Sequence, residues 1–181
     1  MIGQGQFEHL QRTVFTQGPQ PVYAVLDGAI IDDLPARLRQ HAPDAMCLFS
    51  GDLDPALAAA APYLVPMRAG SGASALALRD GWNEHWGIIL VADPGTDANA
   101  LRAHLRRILR VSTPGGQSML FRFYDPRAFR SVVPTFDAQQ RMAFFGPIQT
   151  CYIEGRGGDS VLQFRRDGAE QPDTLPLPAA A

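Results

Sequence analysis

Two aspartates stand directly after apolar runs, where α/β proteins usually place their chemistry. Asp27 follows the run Val22–Leu26, and Asp52 follows the run Ala45–Phe49 and a Ser-Gly pair. Ligands of α/β sheets bind at the carboxyl ends of strands, and two carboxylates there could hold a metal ion or exchange protons with a substrate. Asp and Gly are also the ordinary residues of turns. We favour the turn interpretation and keep a strand-end enzyme site as the alternative.

Other signatures of catalysis or metal binding are missing from the sequence. Each histidine is isolated from other ligand types, without the spacing of a zinc site, so we expect surface or lightly packed side chains at His9, His41, His85 and His104. The sequence has no Gly-x-Ser-x-Gly elbow. The residues after Asp27 lack the glycine spacing and lysine of a phosphate loop. We therefore predict no catalytic residue, no metal ion and no cofactor.

A row of arginines lies on the clearest predicted helix. Asp97 is a candidate N-cap, and the residues after it form an apolar stripe of Leu101, Leu105, Ile108 and Leu109. The arginines recur at i, i+4 and i+8, as Arg102, Arg106 and Arg110. Such a row is either a solvated helix face or a docking surface for an acidic partner. Aromatic residues do not interleave with it, so nucleic-acid binding is not predicted.

A second candidate set lies in a segment dense in aromatic residues and arginines. The sequence reads LFRFYDPR from Leu120 to Arg127 and FFGP from Phe144 to Pro147. Half of the 10 phenylalanines lie between Phe121 and Phe144. Arginine and aromatic residues dominate the energetic centres of protein interfaces. The candidate partner-binding residues here are Arg122, Tyr124, Asp125, Arg127 and Arg130.

The same segment also has a structural interpretation. A strand over Met119–Phe123 would place Arg122 on the face opposite its two phenylalanine neighbours. Asp125 would then cap a helix begun by Pro126 and pair with Arg122 or Arg127. Under this interpretation the arginines hold the turn together instead of facing a partner.

The elements that would position these residues alternate along the chain. Strands are predicted at Val22–Leu26, Ala45–Phe49, Tyr63–Met67, Ile88–Val91 and Met119–Phe123, with helices between and after them and a final hairpin of Gln149–Glu154 and Val161–Arg165. Pro66 argues for an edge or an end in the third strand. This alternation predicts an α/β fold: a single layered domain with a mixed, mostly parallel sheet flanked by helices, and a C-terminal hairpin.

Length and composition indicate one globular domain. The 181 residues are 46% hydrophobic and 19% charged, which is enough to bury a core without disulfides or metal. We divide the sequence into an N-terminal extension (1–20), a core domain (21–166) and a flexible Pro- and Ala-rich tail (167–181).

Charge and cysteine content limit the environment and the partners. The net charge of −2, with arginine supplying all 16 basic residues, gives no drive toward nucleic acid or acidic membranes. Cys47 and Cys151 stand in apolar contexts and are expected to be buried thiols in two strands. We see neither a signal peptide nor an apolar run of the roughly 20 residues that cross a bilayer. We expect a cytoplasmic protein.

The motifs, taken in order, resemble the type VI secretion adaptor family, also called effector chaperones and first catalogued as a domain of unknown function. The matching motifs are YAVLDGA from Tyr23, LFSGD from Leu48, APYLV from Ala61, WGI from Trp86, the arginine-rich helix before PGG at Pro114, FRFYDPR from Phe121 and FFGPI from Phe144. Their order and rough spacing are kept from about residue 21 to 153. The combination is specific, and the last two motifs match best.

The resemblance implies a role without catalysis. Members bind a toxic effector in the cytoplasm and help to load it onto the VgrG-type spike protein at the tip of the secretion tube. Many members carry a further C-terminal lobe, and if that lobe helps to hold effector or spike, we expect its work here to be done by the core domain or to be absent. Two alternatives stay open: a small hydrolase or nucleotide- or metal-binding enzyme that uses Asp27 and Asp52, and a structural component of the secretion baseplate.

Overall fold

The computed structural model describes residues 1–15, 18–112 and 116–179. The six residues Ala75–Asp80 form a π-helix, which continues directly from the short helix Gly72–Ser74. The α-helices are α1 Gln4–Phe15, α2 Leu34–His41, α3 Pro55–Ala60, α4 Gly72–Ser74, α5 Ala98–Ile108, α6 Pro126–Val132 and α7 Ala138–Phe145. The strands are β1 Val22–Asp27, β2 Met46–Cys47, β3 Pro62–Met67, β4 Gly87–Ala92, β5 Arg110–Ser112, β6 Ser118–Leu120, β7 Ile148–Glu154, β8 Ser160–Arg165 and β9 Asp173–Pro176.

Seven strands form one sheet in the order β2-β3-β1-β4-β7-β8-β9. Every neighbouring pair in it is antiparallel. The α/β class and the C-terminal hairpin are confirmed, whereas the mostly parallel sheet was wrong. The apolar run of β1 suggested a parallel strand because both faces of this sheet are covered. A strand that is buried on both sides has the same composition in either direction.

The sheet separates two hydrophobic cores. Side chains alternate along β1, so Ala24 and Leu26 enter one core with α1, α2, α4 and the π-helix. Tyr23 and Val25 enter the other core with α5, α6 and α7. The second core holds aromatic residues of the segment from Leu120 to Pro147, among them Phe123, Phe129 and Phe144.

Two predicted strands are shorter than expected. The strand predicted over Ala45–Phe49 is reduced to β2, which pairs only with Tyr63 and Leu64 of β3. Pro66 therefore lies beyond the reach of β2, so a residue without an N–H is tolerated in a strand that is internal to the sheet. The strand predicted over Met119–Phe123 ends at Leu120 as β6.

β6 pairs with β5 in a separate two-stranded hairpin and not in the main sheet. α5 ends at Ile108, so Arg110 belongs to the hairpin and is not the third member of a helical row. The apolar stripe of the helix is confirmed, with Leu101 and Leu105 fully buried, and Asp97 caps the helix by accepting from the N–H of Ala100 at 3.2 Å.

Both chain ends contribute to the core. α1 lies in the predicted N-terminal extension and buries Phe7, Leu10 and Val14. β9 lies in the predicted flexible tail, where it pairs with β8, and Leu177 after it is buried. The segment predicted to be a flexible tail therefore contains a strand at the edge of the sheet.

Both cysteines are free thiols. Cys151 is a buried free thiol in β7, and Cys47 is a half-buried free thiol in β2. Among the described residues, no helix combines the length and the apolar character needed to cross a bilayer.

Candidate partner-binding surface

Asp27 and Arg122 form an ion pair at the end of β1. The Asp27 side chain is fully buried, and its Oδ2 accepts from the guanidinium of Arg122. Its Oδ1 accepts from the N–H of Ala29 at 3.0 Å. The hydrogen bond to Asp27 raises the pKa of Arg122. The carboxylate that the sequence offered for catalysis is thus engaged by a cation from the motif-rich segment.

Asp125 pairs with Arg127 and caps α6. Nε and Nη2 of Arg127 donate to the two carboxylate oxygens at 3.0 and 2.8 Å, and the Arg127 backbone N–H donates at 2.9 Å. Burial alone would raise the pKa of Asp125, but these hydrogen bonds outweigh it and hold the pKa below its usual value. The predicted cap is confirmed, and of the two partners that the sequence left open for Asp125, Arg127 is the one that pairs with it.

This ion pair makes stability depend on pH in acid. Because the pKa of Asp125 is depressed in the folded state, its contribution is complete above the unfolded value of 3.8 and is lost as the pH falls through the folded value. We expect Asp125→Asn, which keeps a capping oxygen, to lose about 1 kcal/mol at pH 7. Urea unfolding at pH 7 and pH 3 checks this: the gap between the two proteins should narrow at pH 3, and a constant gap would contradict it.

Tyr124 lies between these two ion pairs and is buried. Burial, and then the charge of Asp27, raise its pKa to about 12. The Arg122 guanidinium carbon lies 6.0 Å from the centre of its ring. Tyr124 and Asp125 therefore support the turn from inside, and neither offers a side chain to a partner.

Arg102 and Arg130 bind backbone carbonyls of the sheet. Nε of Arg102 donates to the carbonyl of Cys47 at 2.8 Å and so fastens α5 to the edge strand β2. Arg130 donates to the carbonyl of Glu154 at 2.5 Å, at the end of β7. Burial lowers the pKa of Arg130. Both arginines have a structural task that the sequence did not reveal.

Asp52, the second strand-end carboxylate, is exposed in the loop after β2, while Asp27 is fully buried. Within the residues that the structure describes, no group of three or more His, Cys, Asp and Glu side chains is arranged to hold a metal ion. The two aspartates therefore stand in different environments, and only Asp27 is bound within the protein by an arginine.

Three further arginines lie around the β5–β6 hairpin. Arg107 and Arg110 are exposed and Arg106 is half-buried. Across the described ranges, no carboxylate lies within ion-pair distance of any of the three. Of the eight arginine, tyrosine and aspartate candidates from the sequence, Arg106 and Arg110 are thus the ones best placed to bind another molecule.

Large apolar side chains are exposed on the same hairpin. Val111 is 42% exposed, Met119 53% and Leu120 50%. Val111 is opposite Met119 and Arg110 is opposite Leu120, so the two pairs occupy opposite faces of the hairpin. We call Arg106, Arg107, Arg110, Val111, Met119 and Leu120 the hairpin surface.

A groove lies beside each face of the hairpin, and Arg110 lines both. The first groove, of about 330 Å³, runs between the hairpin and the loop before α3, with Leu53, Leu57 and Leu120 in its walls. The second, of about 490 Å³, lies between α5, β5 and α7. Its walls include Phe121, Phe136 and Phe144, and we call it the aromatic groove.

Comparison with known families gives a single result. The family model described as a domain of unknown function, DUF4123, matches residues 22–143. The chain belongs to the DUF4123 family. Neither the curated proteins nor the solved structures contain a match to it. The matched part of this DUF4123 domain runs from β1 into α7, so it includes both ion pairs, the hairpin surface and the residues of the aromatic groove other than Phe144.

The DUF4123 domain also holds a buried histidine that sequence reasoning missed. His104 was expected to be a surface or lightly packed side chain, but α5 buries it against the end of α7, where its Nε2 is 2.7 Å from the carbonyl oxygen of Phe144. Burial lowers its pKa. Gly146 ends α7 with a φ of +49°, and a Cβ there would lie 2.4 Å from the imidazole of His104. The glycine of the FFGP motif is thus needed for this close approach.

A second missed group joins β7 to the loop before β4. Glu154 is buried, bonds the imidazole of His85, and accepts from the N–H of Asn83 at 2.7 Å. Burial raises the pKa of Glu154, although both hydrogen bonds act against this. Asn83 and His85 have positive φ, which the GWNEHWG sequence signals only weakly.

Proposed function

We propose that the chain is a non-enzymatic adaptor that binds a toxic type VI secretion effector in the cytoplasm and helps to load it onto a VgrG-type spike protein. Two facts support the proposal: membership of the DUF4123 family, and the order of motifs that resembles effector chaperones. The observation that carries it is the hairpin surface, where exposed apolar side chains stand beside arginines without carboxylate partners in the described part of the chain.

The hairpin surface has the composition of a protein interface. Arginine, methionine and aromatic residues are enriched at interfaces, and exposed apolar clusters rimmed by polar residues mark interaction sites. An isolated two-stranded hairpin is only marginally stable in water, so contact with a partner would stabilise β5 and β6. Arg106 and Arg110 therefore replace the wider sequence-derived set as the residues proposed to bind the effector.

The strand-end enzyme alternative has less support. It requires Asp27 to bind a metal ion or take a proton, yet both of its oxygens already accept hydrogen bonds from Arg122 and Ala29. A general base or metal ligand also has to reach its substrate, and the Asp27 side chain is fully buried. The alternative predicts that Mg²⁺ or a nucleotide raises the melting temperature through linkage. We expect no such rise.

Co-expression with the proteins encoded beside this chain tests the adaptor proposal. We expect one toxin to co-purify with it in a one-to-one complex that survives size-exclusion chromatography, and the spike to join that complex. Arg127→Gln is the matched control, because Arg127 is occupied by Asp125 and lines neither groove. A folded Arg127→Gln variant should retain the toxin. Binding to baseplate proteins alone, or to no neighbour, would contradict the proposal.

A further inference from the structure

The aromatic groove is an opening in the second core. Phe144 is buried, but Phe121 and Phe136 in front of it are only partly buried and face the groove. Their rings meet Phe144 at centroid distances of 6.3 and 5.5 Å. The rings that form the groove floor therefore already pack against one another. A side chain of a ligand would contact this preformed surface and would not have to open the core.

The two charged side chains that line this groove are both arginines, although Asp137 next to Phe136 is an exposed carboxylate. Arg107 and Arg110 line one side, and the neutral Gln140 lines the other. Arg107 lies 3.4 Å from the imidazole of His104, and neither Arg107 nor Arg110 has a carboxylate within ion-pair distance among the described residues. Two guanidiniums without carboxylate partners beside an apolar floor attract carboxylates and disfavour a basic ligand.

The apolar surface continues out of the groove onto the hairpin. Val111 lines the groove, and its cross-strand partner Met119 extends the same face of the hairpin. A compact small molecule would be covered by the groove alone and would leave Met119 exposed. An extended ligand with several apolar side chains along one face would cover both.

We propose that the aromatic groove and the adjoining face of the hairpin bind an acidic amphipathic segment of the effector. Apolar side chains of the segment occupy the groove over Phe121 and Phe136 and cover Val111 and Met119. Asp and Glu residues of the segment pair with Arg107 and Arg110. This inference rests on the proposed function for the identity of the partner, but the chemistry of the segment is independent of it.

Two synthetic peptides test the chemistry directly. One carries leucines at i, i+3, i+4 and i+7 with glutamates between them, and the other has lysines in place of the glutamates. Each is labelled with fluorescein and titrated with the full chain, with fluorescence anisotropy as the readout. We expect the Leu/Glu peptide to bind about tenfold more tightly than the Leu/Lys peptide, and to weaken as salt is raised.

Matched variants locate the site. Arg107→Glu/Arg110→Glu should abolish the preference for the Leu/Glu peptide, whereas Arg39→Glu/Arg68→Glu reverses two exposed arginines that line neither groove and should preserve it. Met119→Ser should weaken binding about tenfold. Met142→Ser is its control, since Met142 has the same exposed fraction of 53% outside both grooves. Circular dichroism melting verifies that each variant is folded.

The outcomes separate this inference from the proposed function. Equal binding of the two peptides, or no effect of Arg107→Glu/Arg110→Glu, would overturn the groove inference even if a toxin co-purifies. A charge preference located in the groove would uphold it even if no neighbouring protein binds, and the adaptor proposal would then fail alone. Dimerisation that Met119→Ser abolishes would show that a second copy covers this face, and would also overturn the inference.

Discussion

Replacing Phe144 with alanine is expected to lower the free energy of unfolding by about 4 kcal/mol. Phe144 is 5% exposed and lies at the centre of the second core. Its ring meets those of Phe121, Phe123, Phe129, Phe136 and Phe145 at centroid distances from 5.5 to 6.3 Å. Truncation removes the buried area of the ring, its edge-to-face contacts and the filling of a space that its rigid neighbours cannot close.

Urea unfolding followed by circular dichroism measures this loss. Phe144→Leu keeps most of the volume and should cost less than the alanine variant. Met142→Ala, on the same helix but 53% exposed, should change stability by less than about 0.5 kcal/mol. If Phe144→Ala and Met142→Ala unfold at the same urea concentration, the aromatic cluster does not hold α7 to the sheet. Because Phe144 also lines the aromatic groove, a folded Phe144→Ala variant should bind the Leu/Glu peptide more weakly.

The sequence predicted elements well where the signal is local. The helices after Asp97 and Asp125 are present, and each aspartate accepts a hydrogen bond from the first turn. The apolar runs at β1 and β4 are strands. Caps and apolar periodicity act over a few residues, so a sequence alone reveals them.

Strand direction and strand partners could not be predicted in the same way. β3 lies between β1 and β2 and runs antiparallel to both, a topology that composition does not encode because helices bury both faces of the sheet. The β5–β6 hairpin carried a local signal that was missed. The Pro-Gly-Gly sequence between Arg110–Ser112 and Ser118–Leu120 is typical of a hairpin connection, but no hairpin was predicted there.

In the candidate site, too, local contacts could be predicted from the sequence and contacts between distant residues could not. The Asp125–Arg127 pair is local and was one of the two pairings predicted for Asp125, whereas Asp27 and Arg122 are separated by 95 residues and were assigned to different hypotheses. The exposure of the hairpin side chains could not be predicted from the sequence either. Met119 and Leu120 have the composition of a core strand, and only their position in a separate hairpin exposes them. The surface now proposed to bind a partner is therefore largely a product of tertiary structure.

Removing Arg122 is expected to be more costly than removing the charge of Asp27. Arg122→Met should lower the free energy of unfolding by about 3 kcal/mol, because it leaves a fully buried carboxylate without its cation. This value is at the lower end for buried pairs, since the Arg122 side chain is 41% exposed. Asp27→Asn keeps an acceptor for the N–H of Ala29 and leaves an arginine that can reach water. Its cost should be about 1 kcal/mol.

A double-mutant cycle in urea decides whether the pair acts as a unit. Asp27→Asn/Arg122→Met should be more stable than Arg122→Met alone, because Asp27→Asn removes the unpaired carboxylate that Arg122→Met leaves behind. Arg127→Met is the matched control: its partner Asp125 has a side chain that is 10% exposed and is also bound by a backbone N–H, so the loss should be about 1 kcal/mol. Equal losses for Arg122→Met and Asp27→Asn would mean that water or another donor satisfies Asp27. The end of β1 would then be open to a ligand, and the strand-end enzyme site would regain support.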